Sequence, residues 1–227
     1  MQKRLLIFLT FLLIVISANA QKWQNGSFYD VKGSKVPGQI RLYPSGKPPI
    51  KDEAFIEYRE DTKSAAIKLS ASDLRSFTVA QDSFVVAANG GWSNYELDFV
   101  RVALNTPLRL FQANGGGGGD SGFGISPGVG VGVGGGTGGL GGGVGGGISI
   151  PIGGHGGGGG KGAIYFYGTN TANMKPISNQ GFIDIMTEVM ADEPEAVEAI
   201  KSNKYNLGNI EKLIAYFKKL EAKSGSQ

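Results

Sequence analysis

The 227-residue chain predicts an α+β fold, with an antiparallel β-rich body (a meander, roll or small sandwich), then about three C-terminal helices. A long glycine-rich hairpin loop is expected to interrupt the body. Three observations carry this expectation. From Gln21 to about Asn114, short aromatic and β-branched runs alternate with turn clusters. From Phe182 onward, apolar residues recur at every third or fourth position. Between these regions, 29 of the 39 glycines fall among the 48 residues Gly115 to Gly162. The first pattern is that of strands, the second of helices, and the third withholds side chains from any core.

The first twenty residues read as a secretory signal peptide. Lys3 and Arg4 precede an apolar run, Leu5 to Ile16, broken only by Thr10, and Ala18-Asn19-Ala20 offers a small-x-small cleavage site. This run of twelve residues, eleven of them apolar, falls short of the roughly 20 that a helix needs to span a bilayer, so cleavage rather than anchoring is expected. The mature chain would begin at Gln21 and be exported, to the periplasm or beyond the cell, with no stable membrane insertion. Removing Lys3 and Arg4 lowers Lys+Arg from 22 to 20 against 19 Asp+Glu, leaving +1. Such a balance gives no field to draw the protein onto nucleic acid.

Strands are expected at Ser27–Val31, Gly38–Tyr43, Ala54–Glu60, Ala65–Leu69, Phe77–Val79 and Ser83–Ala87. Turn clusters separate them, among them Lys32-Gly33-Ser34, Pro44-Ser45-Gly46-Lys47 and Asn89-Gly90-Gly91. Ile56 and Tyr58 alternate with Glu57 and Arg59, and Ile67 and Leu69 with Lys68, the mark of a sheet with one wet face. Ser70 to Arg75 has the composition of a single helical turn capped by Ser70 or Ser72. Within Asn94 to Leu104 the apolar positions are odd up to Phe99 and then shift to Val100, Val102 and Leu104. That phase switch calls for a bulge, or for a strand passing from one packing layer to another. Pro107–Gln112 and Ala163–Tyr167 are expected to pair as a hairpin, since a tether between two domains would orphan the second strand. Lengthening a turn of about four residues to this tract costs only about 2 kcal/mol of closure entropy.

The helices follow. Phe182, Met186, Val189 and Met190, with Ile183 and Ile185, make one apolar stripe. Asp192-Glu193-Pro194-Glu195 is a start signal with Asp192 as cap. A last helix from about Leu207 to Glu221 places Ile210, Leu213, Ile214, Phe217 and Leu220 on one face, with Glu211, Lys212, Lys218 and Lys219 opposite. The resulting organisation is a signal peptide over 1–20 and one α+β domain from 21–113 and 163–222. A glycine-rich flexible insertion over 114–162 and a disordered tail over 223–227 complete it.

The chemistry-bearing residues are few. With no cysteine there is no disulfide, thiolate ligand or cysteine nucleophile, and with His155 alone no multi-histidine metal site. No catalytic constellation, metal site or cofactor motif is expected. His155 lies in the glycine tract, where a base cannot be held against a nucleophile. A G-x-G-x-x-G match at Gly130, Gly132 and Gly135 follows no strong strand and opens no helix. Gly160-Lys161 fails as a P-loop because His155 and Gly162 stand where glycine and Ser/Thr are required. Asp184, Glu188 and Asp192 are spaced to share a helix face and read as a solvated acidic surface. Glu96 and Asp98 share a strand face and would serve a carboxylate-dependent hydrolase of carbohydrate or peptide only within a cleft. Trp23 and Trp92, the latter beside Gly90-Gly91, are candidates for stacking on sugars.

In the tract, Asp120 and Lys161 are the only formal charges and Phe123 the only aromatic, which does not suit RNA. Gly128-Val-Gly-Val-Gly-Val-Gly134 has period two, like elastin or silk, and leaves open a structural or adhesive role.

Several segments, Phe28–Ile40, Leu69–Phe77, Asp82–Val86, Asp98–Val102 and the helical stretch from Asp192 to Phe217, resemble exported proteins of Bacteroidetes-type bacteria. That group has no established activity, so the resemblance implies export and transfers no functional residues. The expectation is a non-enzymatic envelope protein that acts by binding or assembly, with an envelope protein or glycan as partner and an open oligomeric state.

Overall fold

The computed structural model describes residues 23–113 and 163–224. The first twenty residues, the glycine tract and His155 lie outside them. Ten strands form one antiparallel sheet: β1 (Gln24–Asp30), β2 (Lys35–Arg41), β3 (Phe55–Arg59), β4 (Ile67–Ser70), β5 (Leu74–Val79), β6 (Asp82–Ala88), β7 (Leu97–Leu104), β8 (Arg109–Ala113), β9 (Ile164–Gly168) and β10 (Lys175–Pro176). Their order is β10-β9-β8-β7-β6-β5-β1-β2-β3-β4. Three helices follow, α1 (Phe182–Val189), α2 (Pro194–Lys201) and α3 (Ile210–Ser224), completing the α+β architecture. None of the helices described is long and apolar enough to cross a membrane.

A twisted sheet of this width curls. Its β1–β7 part rolls until the approach to β3 meets the start of β7, where Glu53 bridges Leu97 and the Ala54 N–H donates to the Leu97 carbonyl at 2.9 Å. Inside the roll, Phe77 stacks on Phe84 with centroids 4.9 Å apart and meets Phe99 edge-on at 4.9 Å. Ile40, Ile56 and Val79 complete the filling. Glycines permit close strand approach within the roll. Gly26 pairs with Gly38 across β1 and β2, and a Cβ on Gly38 would stand 2.4 Å from the Tyr58 ring and 2.6 Å from the Arg59 carbonyl oxygen. Pro37 is accommodated inside β2 because β3 pairs only with Gln39 to Arg41, leaving that side free at Pro37.

The phase switch in β7 has a structural cause. Phe99 faces the roll, Val100 and Val102 pack on the other side of the sheet, and Ala103 and Leu104 lie under the helices. A register shift against β8 between Val102 and Leu104 brings the last two into that third environment. Beyond β7 the hairpin strands pair antiparallel, with Phe111 opposite Phe166 and Gln112 opposite Tyr165.

The helices bury Phe182, Met186, Met190, Ile200, Leu213 and Phe217 against Leu110 and Tyr165. Asn203, at φ 58°, ends α2 in the left-handed conformation that asparagine tolerates. Several local expectations need correction. The residue capping α2 is Glu193, not Asp192, with Pro194 in the first turn. Ile67 is exposed rather than buried, because β4 ends the sheet. Glu57 does not face water: it is buried and paired with Arg41, whose guanidinium also lies over the Trp23 ring.

Glu211 is the largest departure. It leaves the wet face of α3 for a polar cluster built on β7. The buried Arg101 donates to Gln112 Oε1 at 2.6 Å, to Asp82 Oδ1 at 3.2 Å and to Glu211 Oε1 at 3.4 Å. Gln112 Nε2 also donates to Glu211 at 2.9 Å, and the Tyr165 hydroxyl donates to the same carboxylate. Burial, and then the Glu211 charge, push the Tyr165 pKa far above its ordinary value, keeping this donor protonated.

These contacts set the expected cost of three substitutions. Gly38→Ala should cost about 1–3 kcal/mol in urea unfolding by overpacking. Gly90→Ala, whose added carbon meets nothing closer than 3.9 Å, should stay within about 0.5 kcal/mol of wild type. Arg101→Met should cost about 3–5 kcal/mol, since Asp82 and Glu211 then keep their charges without the guanidinium.

Candidate binding groove

Asn89 organises the turn between β6 and β7. Its side-chain oxygen accepts from the backbone N–H groups of Gly91, Trp92 and Ser93 at 2.8, 2.9 and 3.0 Å. Gly91 supplies the positive φ of 93° that the reversal requires. The turn thereby folds Trp92 onto the face of the sheet away from the helices. Trp92 is only 7% exposed and meets the Phe166 ring at 6.1 Å and 60°, above Val100, Phe111 and Ala113.

Across from this turn, the β9–β10 connection is shaped by a second asparagine. Asn170 accepts from the N–H groups of Ala172 and Asn173 at 2.9 and 3.2 Å, closing the short 3-10 turn Thr171–Asn173. Gly168 lets it approach closely, because a Cβ there would stand 3.0 Å from Met174 Cα. Between the two turns lies a groove of about 520 Å³, walled by Trp92, Ile164, Phe166, Ala172, Met174 and Pro176. Ile164 follows the glycine tract almost directly in sequence. The Trp92 indole N–H is buried and finds no acceptor among the described residues, a deficit of about 1–3 kcal/mol.

The groove can hold apolar side chains. A flexible, polarisable methionine and an aromatic wall suit a surface that adapts to its occupant. It holds no titratable group among its lining residues, so it offers no acid or base. Of the tryptophans proposed for sugar stacking, Trp92 spends its ring on packing, and Trp23 lies against the guanidinium groups of Arg41 and Arg59 at 4.8 and 4.3 Å.

The structure separates the two carboxylates considered as an acid/base pair. Glu96 is exposed, while Asp98 is half-buried and accepts from the Ser93 hydroxyl at 2.5 Å and the Phe99 N–H at 2.7 Å. Burial raises the Asp98 pKa, against the lowering effect of those hydrogen bonds. Asp184, Glu188 and Asp192 are exposed, and α1 ends at Val189, so Asp192 does not share its helix. No group of three or more metal-ligating side chains assembles among the described residues. Sequence reading singled out Trp92 and the Asn89-Gly90-Gly91 turn but missed Phe166, Met174 and Pro176. The β8–β9 and β9–β10 pairings together bring those three beside Trp92.

A carboxyl group whose folded pKa is raised binds its proton more tightly in the native state. Its contribution to stability is therefore greatest in acid and is lost as pH rises through the interval above the ordinary value of about 3.9. Asp98→Asn should remove that component. The pH dependence of urea midpoints above about pH 4 should be flatter in the variant than in wild type. Compared with protein-family models, with curated proteins and with solved structures, the chain matches none.

Proposed function

We propose that the protein is exported to the cell envelope and works there by binding, without catalysis, receiving an apolar segment of a partner protein in the groove beside Trp92. The observation that carries this reading is the groove itself. Two asparagine-built turns hold its apolar wall open on the face that the helices leave uncovered. The unsatisfied Trp92 N–H adds a donor that a partner's backbone carbonyl could use after a small opening of the wall. A glycan is the weaker partner, because both tryptophan rings are engaged within the chain. The leader-like first twenty residues support the location.

A photoreactive phenylalanine analogue at Ala172, in the full-length chain in its native envelope, tests the reading. A discrete cross-linked protein is expected from position 172 and not from the exposed Lys212 on α3. Met174→Asp should abolish it, and replacing Gly115 to Gly162 by a short turn should leave it intact. Cross-linking at 172 no stronger than at 212, or a product lost with the tract alone, would remove the groove from function. The second outcome would transfer the role to the glycine repeats.

A further inference from the structure

A separate cavity of about 370 Å³ lies between the C-terminal half of α3 and the ends of β5 to β8. Its walls are polar and charged where the groove beside Trp92 is apolar. Arg109 enters from the start of β8 and Lys218 from α3, so two cations far apart in sequence converge on one hollow. Among the described residues, neither forms an ion pair with a carboxylate. Of the two acids in the wall, Asp82 already answers Arg101 at 3.2 Å, and Glu221 sits one turn beyond Lys218 on the same helix. The two cations and two acids of the lining balance in formal charge, and Arg101 draws Asp82 toward itself, leaving Arg109 and Lys218 without an ion-paired carboxylate among the described residues. Ser83 and Asn105 add neutral donors and acceptors.

We propose that this cavity binds a small carboxylic acid bearing a neighbouring hydroxyl or amino group. The planar guanidinium of Arg109 matches a carboxylate in two-point fashion, and the Lys218 ammonium adds a mobile point charge. The second oxygen of Asp82 and the Glu221 carboxylate supply acceptors for the adjacent hydroxyl or ammonium. The volume stands at the low end of ligand sites, which favours a small metabolite over a polymer. The Lys218 ammonium is held below its ordinary pKa by loss of solvent and then by Arg101, a cost that a bound anion would relieve. This site does not depend on the groove and would stand if the groove had no partner.

The test is a nuclear magnetic resonance titration of the isotope-labelled mature chain with glycolate, glycine, acetate, methylammonium and sodium chloride. Glycolate or glycine should give saturable shifts at the Ser83 and Asn105 amides and the Arg109 Nε–H, with tighter binding than acetate. Methylammonium and sodium chloride should give no saturable shift. In Arg109→Gln the affinity should fall about tenfold or more, and in Lys219→Gln, which leaves the lining intact, it should not change. Shifts reproduced by sodium chloride in the wild-type protein, or an unchanged affinity in Arg109→Gln, would overturn the proposal. The salt comparison needs no variant, so it decides even if Arg109→Gln fails to fold.

Discussion

The guanidinium of Arg101 imposes the condition that the rest of the molecule must meet. A buried cation is tolerable only when its charge and its N–H groups are all answered, and the answers here come from three other elements. Asp82 belongs to β6, Gln112 to β8 and Glu211 to α3. A slip of one residue in either strand pairing would turn Asp82 or Gln112 to the opposite face and strand the charge. The cluster therefore couples the register of the sheet to the seating of the last helix. Tyr165 reinforces that coupling from β9, across the hairpin that the glycine tract connects.

The same strand also divides the apolar interior. Phe99 belongs to the roll, Val100 and Val102 to the layer under Trp92, and Ala103 and Leu104 to the helical layer. Each of these layers is small, and none would hold a domain of this size by itself. Sharing β7 joins them into one body. The bulge between Val102 and Leu104 lets a single strand serve more than the two faces its pleat would allow. Among the described residues, the helices cover one face of the β7–β9 region and two turns lie on the other, where an apolar groove remains.

How much of this was legible in the sequence differs from element to element, for physical reasons. Where a pattern is local and repeats, it could be read: the strands through turn residues, the helices through the stripe from Phe182 and the stripe from Ile210. The phase switch after Phe99 was legible as an anomaly, and the bulge and shared layers are its cause. Misreadings came where long-range contacts overrule a local pattern. Glu57 and Glu211 sit at positions that periodicity assigns to solvent, yet each is drawn inward by an arginine supplied from another strand. Ile67 sits at a position assigned to the core, yet its strand ends the sheet. Strand β10 was not anticipated, because two residues, one of them proline, carry no period at all.

By itself, then, the sequence determined the α+β class, the chain order of the helices and of every strand but β10, the hairpin between Pro107–Gln112 and Ala163–Tyr167, and the turn that carries Trp92. All of these rest on spacing, turn chemistry and hydrophobic period within a few residues of one another. Only the tertiary structure decided the curl of the sheet, the close approach at Gly38, the Arg101 cluster and the two cavities. Those depend on side chains brought together across the chain, as Arg101 and Glu211 are. The free energy of such meetings lies in burial and pairing across elements, and no local stretch of sequence contains it.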